Sequence, residues 1–157
     1  MGSTLSARQA IQIFERLGVV SRLAVTRINL AELSQCTGNL RKAMQLSDKT
    51  IAQAREVQHL LGIALGLRYR SMVLVDLGRL SDAEDNAREA LRITQEIGDL
   101  EDELGALISL VRIRIARKNF VDAQNELARA LDLAESCDVE GYMPLLWSWL
   151  ARCQAEQ

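Results

Sequence analysis

Gly38-Asn39-Leu40-Arg41-Lys42-Ala43 is answered by Gly78-Arg79-Leu80-Ser81-Asp82-Ala83 and again by Lys118-Asn119-Phe120-Val121-Asp122-Ala123, with a spacing of 40 residues both times. In each stretch a chain-breaking pair precedes a large apolar residue, and an alanine follows five residues after the first member. Other columns keep the same phase: Ile51, Leu91 and Leu131 stand in register, Ala10 lies under Ala90 and Ala130, and Gly18 under Gly98. Self-similarity at a fixed period of this size marks a repeat architecture, in which neighbouring units bury each other's apolar faces. Carrying the phase outward gives one repeat domain over 1–157, with a partial unit at 5–20, units at about 21–60, 61–100 and 101–140, and a partial unit at 141–157. So divided, the chain reads as a piece of a longer protein.

Inside a unit the apolar residues recur at three- and four-residue steps, as in Leu23, Ala24, Leu30, Ala31 and Leu33, then Ala43, Leu46, Ile51 and Ala54. That period belongs to helices. Breaks fall at Gly38, Gly78 and Lys118-Asn119 within units, and at Gly18, Gly98 and Gly141 near the boundaries between them, so each unit is a helical hairpin. Composition agrees: the hydrophobic 48% comes from Leu, Ala, Ile and Val, and Pro144 is the single proline, a balance that favours helix over sheet. Eight helices are expected, at roughly 5–17, 21–36, 40–57, 61–77, 81–97, 101–117, 120–136 and 143–155, with no strand. Ser6-x-x-Gln9 and Ser81-x-x-Glu84 read as capping boxes, and Pro144 as the first turn of the last helix.

These columns resemble the tetratricopeptide repeat. Trp147-x-x-Leu150-Ala151 matches the opening of its signature, Gly38-Asn39-Leu40-x-x-Ala43 and Gly78-Arg79-Leu80-x-x-Ala83 match its turn, and Ala83, Ala87 and Ala90 supply the small residues of its second helix. The period of 40 is similar to the longer-helix variant found in regulatory regions of bacterial signalling proteins and some adaptors. The resemblance implies an all-α fold, an α-solenoid of stacked antiparallel hairpins wound into a right-handed superhelix. It also implies a protein-interaction scaffold that binds a peptide or protein segment in a concave groove lined by first helices. Arg27, Arg70 and Arg114 stand where the family places apolar or aromatic residues, and are expected to pack their stems under solvated or paired heads.

By register the groove should display Asn29, Glu32 and Cys36, then Arg68, Tyr69, Met72 and Asp76, then Ser109, Arg112 and Ile115, and last Trp149 and Arg152. Arginines, aromatics and a methionine suit an extended segment held by apolar anchors and charge-assisted hydrogen bonds. The family's carboxylate clamp is not reproduced, because Ile28, Glu32 and Leu65 stand where its Lys and Asn would be. Trp147 and Leu150 form a candidate self-association edge at the terminal half-unit, where a covering helix would be due. The alternative is a structural or self-associating spacer with no dedicated groove ligand; a small-molecule or peptide sensor is a third class without specific support.

Other classes find little in the sequence. A formal charge of −2 with both signs interspersed gives no sustained positive field for a phosphate backbone. No apolar run approaches a bilayer span of about 20 residues, and Cys36, Cys137 and Cys153, with His59 as the sole histidine, have no metal-ligand spacing. Three free thiols fit a reducing cytoplasm, the expected location. Met1-Gly2-Ser3-Thr4-Leu5-Ser6 matches an N-myristoylation pattern, but Met-Gly-Ser is also a common cloning scar. No catalytic constellation, cofactor motif or metal site is expected: phosphate loop, G-x-S-x-G and H-E-x-x-H are all missing. His59 is expected to lie against terminal carbonyls at a helix end, and the acidic groups Glu84-Asp85 and Glu101-Asp102-Glu103 to be solvated first-turn residues.

Overall fold

Corners decide this architecture, and each is built on one residue in the left-handed region: Gly18, Gly38, Gln58, Gly78, Gly98 and Lys118, every 20 residues along the chain. The residue after each returns its N–H to the carbonyl five back, as in Asn39 to Ser34 (2.7 Å), Arg79 to Leu74 (2.9 Å) and Asn119 to Arg114 (2.9 Å). This six-to-one bond satisfies the orphan carbonyls of a helix end and turns the chain within three residues. At Gly38 and Gly78 the absent Cβ makes the left-handed backbone free of strain.

The structure, a computed structural model, describes residues 2–137 and 140–156, with side chains for 6–137 and 141–156. The side chains of the N-myristoylation pattern before Ser6 therefore lie outside the described residues. Among the described residues eight α-helices are present: α1 (Gly2–Leu17), α2 (Val20–Cys36), α3 (Leu40–Glu56), α4 (Leu60–Asp76), α5 (Leu80–Ile97), α6 (Leu100–Ala116), α7 (Phe120–Ser136) and α8 (Met143–Ala155). A 3-10 turn at Glu140–Tyr142 leads into α8, whose first turn contains Pro144. Among the described residues there is no strand.

Helix starts depart from the sequence reading. Asn39, Asp99 and Asn119 are the caps, accepting from the backbone N–H of Lys42, Asp102 and Asp122 at 3.1, 3.1 and 3.3 Å. The expected capping boxes do not form: Ser6 lies inside α1 and Ser81 is the second residue of α5, because the six-to-one corner places the cap at Arg79. His59 opens α4 rather than closing a helix; its Nδ1 accepts from Gly62 N–H at 2.9 Å, and its Nε2 meets Ser21 Oγ at 2.9 Å.

Packing follows the alanine columns. Consecutive helices pack along the whole chain, and α2 also packs on α4, and α4 on α6, whereas α3, α5 and α7 show no comparable contact. The first helices therefore form the inner row and the second helices the outer, as in an α-solenoid of helical repeats. The outer helices bury one stripe each, Ala43, Ser47, Thr50, Ile51 and Ala54 on α3 and its equivalents on α5 and α7, which is the amphipathic pattern of a helix with one wet side. Ala43, Ala83 and Ala123 are all 0% exposed, so the helices meet there with almost no side chain between them. Gly66 does the same on α4: a Cβ there would lie 2.5 Å from Ile51 Cγ1.

Three arginines expected to snorkel end in paired heads. Arg27 is 7% exposed, donates to Glu15 at 2.5 Å and also bonds Gln53. Arg70 lies 3.0 Å from Asp48, and Arg114 lies 2.8 Å from Glu84. Glu84 overturns its expected solvation: it is 8% exposed and is also clasped by Arg88 at 2.6 Å and by Arg117. Burial pushes its carboxyl up, but the Arg114 hydrogen bond and the charges of Arg114, Arg88 and Arg117 outweigh it and leave it below the usual range. Its neighbour Asp85 is exposed.

Candidate functional site

Side chains at i, i+4 and i+8 on a helix share one face, and Arg68, Met72 and Asp76 of α4 lie on the face of the inner row away from the alanine crossings. Beside them stand Ile108 and Arg112 of α6 and Trp149 of α8. All of these but Asp76 line a cleft of about 310 Å³, whose walls also include Glu32 of α2, Tyr142 of the 3-10 turn and Leu145 near the start of α8. A second depression, about 560 Å³, shares Arg112 and Trp149 with the first and continues past Ile115 and Phe120 to Lys118, Arg152 and Glu156. The two adjoin at Arg112 and Trp149, and together their lining residues run from α2 to α8.

Of the twelve groove residues expected from register, Glu32, Arg68, Tyr69, Met72, Ser109, Arg112 and Trp149 line the smaller cleft, and Arg152 lines the larger. Ile115 lines the larger cleft as well. Asn29 and Cys36 are exposed on α2 but line neither. Asp76 lines neither cleft; it accepts from Gln35 Nε2 at 2.5 Å and stands 3.6 Å from Arg112.

Two further expected contact groups are already engaged. Ser109 is 2% exposed and its hydroxyl donates to the Gly105 carbonyl at 3.1 Å, so it is floor rather than ligand donor. Arg68 lies across Gly105, is ion-paired to Asp102 at 3.2 Å, and places its guanidinium carbon 4.8 Å from the centre of the Tyr69 ring. Asp102 is therefore an inner partner and not a solvated first-turn carboxylate. Burial raises its carboxyl above the ordinary range although Arg68 opposes it. Burial likewise raises the Tyr69 phenol, against the lowering effect of Arg68, and so Tyr69 stays a neutral hydrogen-bonding group at physiological pH.

Lys118, Phe120, Tyr142 and Glu156 line the groove without having been expected there. Register assigned the groove to first helices alone, and these residues come from the α6–α7 corner, the first position of α7, the 3-10 turn and the C-cap of α8. Lys118 and Arg152 make no ion pair with the other described residues, unlike Arg68 and Arg112.

The proposed self-association edge divides. Trp147 is 53% exposed, and Ala151 beside it is also exposed, whereas Leu150 packs partly against the core formed by α6 and α7. Cys153 is buried and Cys36 exposed, and all three cysteines are free thiols. Among the described residues no group of three or more His, Cys, Asp or Glu side chains could hold a metal ion, and no helix is long and apolar enough to cross a membrane. No protein-family model matches the sequence, and no curated protein resembles it significantly.

Proposed function

We propose that this chain is a tetratricopeptide-like interaction module that binds a protein or peptide segment along the groove between α2 and α8. The observation that carries the reading is adjacency: two clefts that share Arg112 and Trp149 present aromatic and aliphatic side chains beside cations. Such a surface offers apolar anchor sites and charge-assisted hydrogen bonds along one line, the arrangement an extended or helical segment uses. The open, solvent-connected shape suits a chain better than an enclosed small molecule. Two acidic side chains behind the groove are already engaged, Asp102 by Arg68 and Asp76 by Gln35 and Arg112.

A photo-cross-linking amino acid in place of Met72, compared with one in place of the exposed Asp85 on α5, tests the reading in an extract of the source organism. A defined polypeptide captured at Met72 and not at Asp85 is expected. Equal capture at both positions, or none at Met72, removes the groove as the binding surface.

A second reading is self-association through the outer face of α8, favoured by the exposed Trp147 indole next to Pro144 and Ala151. An aromatic side chain presented this way gains about 25 cal/mol per Å² of apolar area it buries, and a helix set against that face would bury it.

A further inference from the structure

The two halves of the groove differ in how their charges are spent. In the smaller cleft Arg68 is neutralised by Asp102 at 3.2 Å, and Glu32 adds a carboxylate to the rim. In the larger depression Arg112, Lys118 and Arg152 face a single carboxylate, Glu156. Arg112 is only loosely held, 3.6 Å from Asp76, and Lys118 and Arg152 have no ion-pair partner among the described residues. Between these cations lie Ile115, Phe120 and Trp149, each partly buried against the core of α6, α7 and α8 and so fixed in place. Lys118 is also fixed at its backbone, because it is the left-handed residue of the α6–α7 corner.

The geometry points to an acidic polypeptide segment as the occupant of this end of the groove, with an aromatic or large aliphatic side chain seated on Phe120 and Trp149 and flanking carboxylates on Lys118, Arg152 and Arg112. The assignment rests on the groove reading above and adds the chemistry of the partner. Carboxylates suit it because guanidinium and ammonium groups at the rim of an apolar depression are matched by opposite charges flanking an anchor. A nucleic acid suits it less. The cations form one cluster on a chain of net charge −2, and Asp76 and Glu156 stand among them, whereas phosphate-backbone binding needs a positive stripe that extends along the strand.

Selection of a random peptide library displayed on phage, against the immobilised full chain, reads the preference without a known partner. A parallel selection uses the Lys118→Glu/Arg152→Glu variant, whose two altered side chains are exposed, with circular dichroism confirming unchanged helix content. The expected pool is enriched in Asp and Glu around an aromatic or aliphatic residue. Its best synthetic members should bind the variant about tenfold or more weakly and lose affinity as salt is raised. A pool enriched in basic or uncharged sequences that still competes with Met72 cross-linking overturns this inference and leaves the groove reading standing. A pool that ignores the groove, or no enrichment at all, overturns both. A single-stranded RNA oligonucleotide that binds through Lys118 and Arg152 more tightly than the acidic peptides also overturns the inference.

Discussion

Replacing Gln58 and Lys118 with glycine should stabilise the protein, although neither substitution adds a contact. Both residues hold a positive φ, +54° and +58°, in the corner column otherwise filled by Gly18, Gly38, Gly78 and Gly98. The left-handed conformation costs a residue with a Cβ about 1–2 kcal/mol. Glycine's greater freedom in the unfolded chain returns roughly 0.5–1 kcal/mol of that. Each substitution is therefore expected to gain about 0.5–1 kcal/mol, and because the corners are separate the two should add to about 1–2 kcal/mol. For a domain of this size that raises Tm by roughly 2–8 °C. The reverse change, Gly78→Ala, should cost about 1 kcal/mol through backbone strain alone, since a Cβ there meets nothing within 4 Å. Urea unfolding followed by helical circular dichroism measures all three. A loss of about 1 kcal/mol at Gln58→Gly and Lys118→Gly, the ordinary penalty for glycine in a helix, would show that these residues do not form the corners and would refute the 20-residue spacing.

Three more outcomes follow from packing and charge. Ala83→Leu or Ala123→Leu should overpack a crossing where the native side chain is fully buried and lower stability by about 1–3 kcal/mol; an unchanged urea midpoint would show that the outer helices do not meet the inner row there. Glu84→Gln should cost about 2 kcal/mol near neutral pH by removing the charge that Arg114, Arg88 and Arg117 surround. Because the folded pKa of Glu84 is lowered, its contribution is fully present above the unfolded value and is lost as pH falls through the folded value, so the stabilities of wild type and variant should converge in acid; a gap that stays constant with pH contradicts the assignment. Trp147→Ser should reduce any concentration-dependent association measured by light scattering, and an association that persists unchanged places the contact elsewhere.

The repeat was legible because its decisive residues are chemically constrained. A left-handed corner selects glycine and a close crossing selects alanine, so both leave columns that a single sequence displays. Gln58 and Lys118 interrupt the glycine column and pay a conformational cost instead, which is why the Gln58 corner carried no mark of its own. Charge partnerships across helices left no such trace. Glu84 looks like an ordinary first-turn carboxylate until Arg114 of α6 and Arg117 of its C-cap are brought to it, and Arg68 looks like a free groove cation until Asp102 is seen beside it. The groove itself was half legible. Helical register set Arg68, Tyr69, Met72, Arg112 and Trp149 on one surface, but it could not show that Ser109 spends its hydroxyl on Gly105 or that the Lys118 corner and the Tyr142 turn fold in to complete the walls.

Methyl-resolved NMR of the full chain, titrated with the polypeptide segment captured at Met72, tests the groove most directly. Met72 and Ile108 report the smaller cleft and Ile115 the larger, while the exposed Val57 and Ile97 lie at outer-helix ends away from both. Saturable shifts are expected at Met72, Ile108 and Ile115, with Val57 and Ile97 unmoved. Shifts confined to Val57 and Ile97, or no shift at any of the five methyl sites when the segment is in excess, would contradict it.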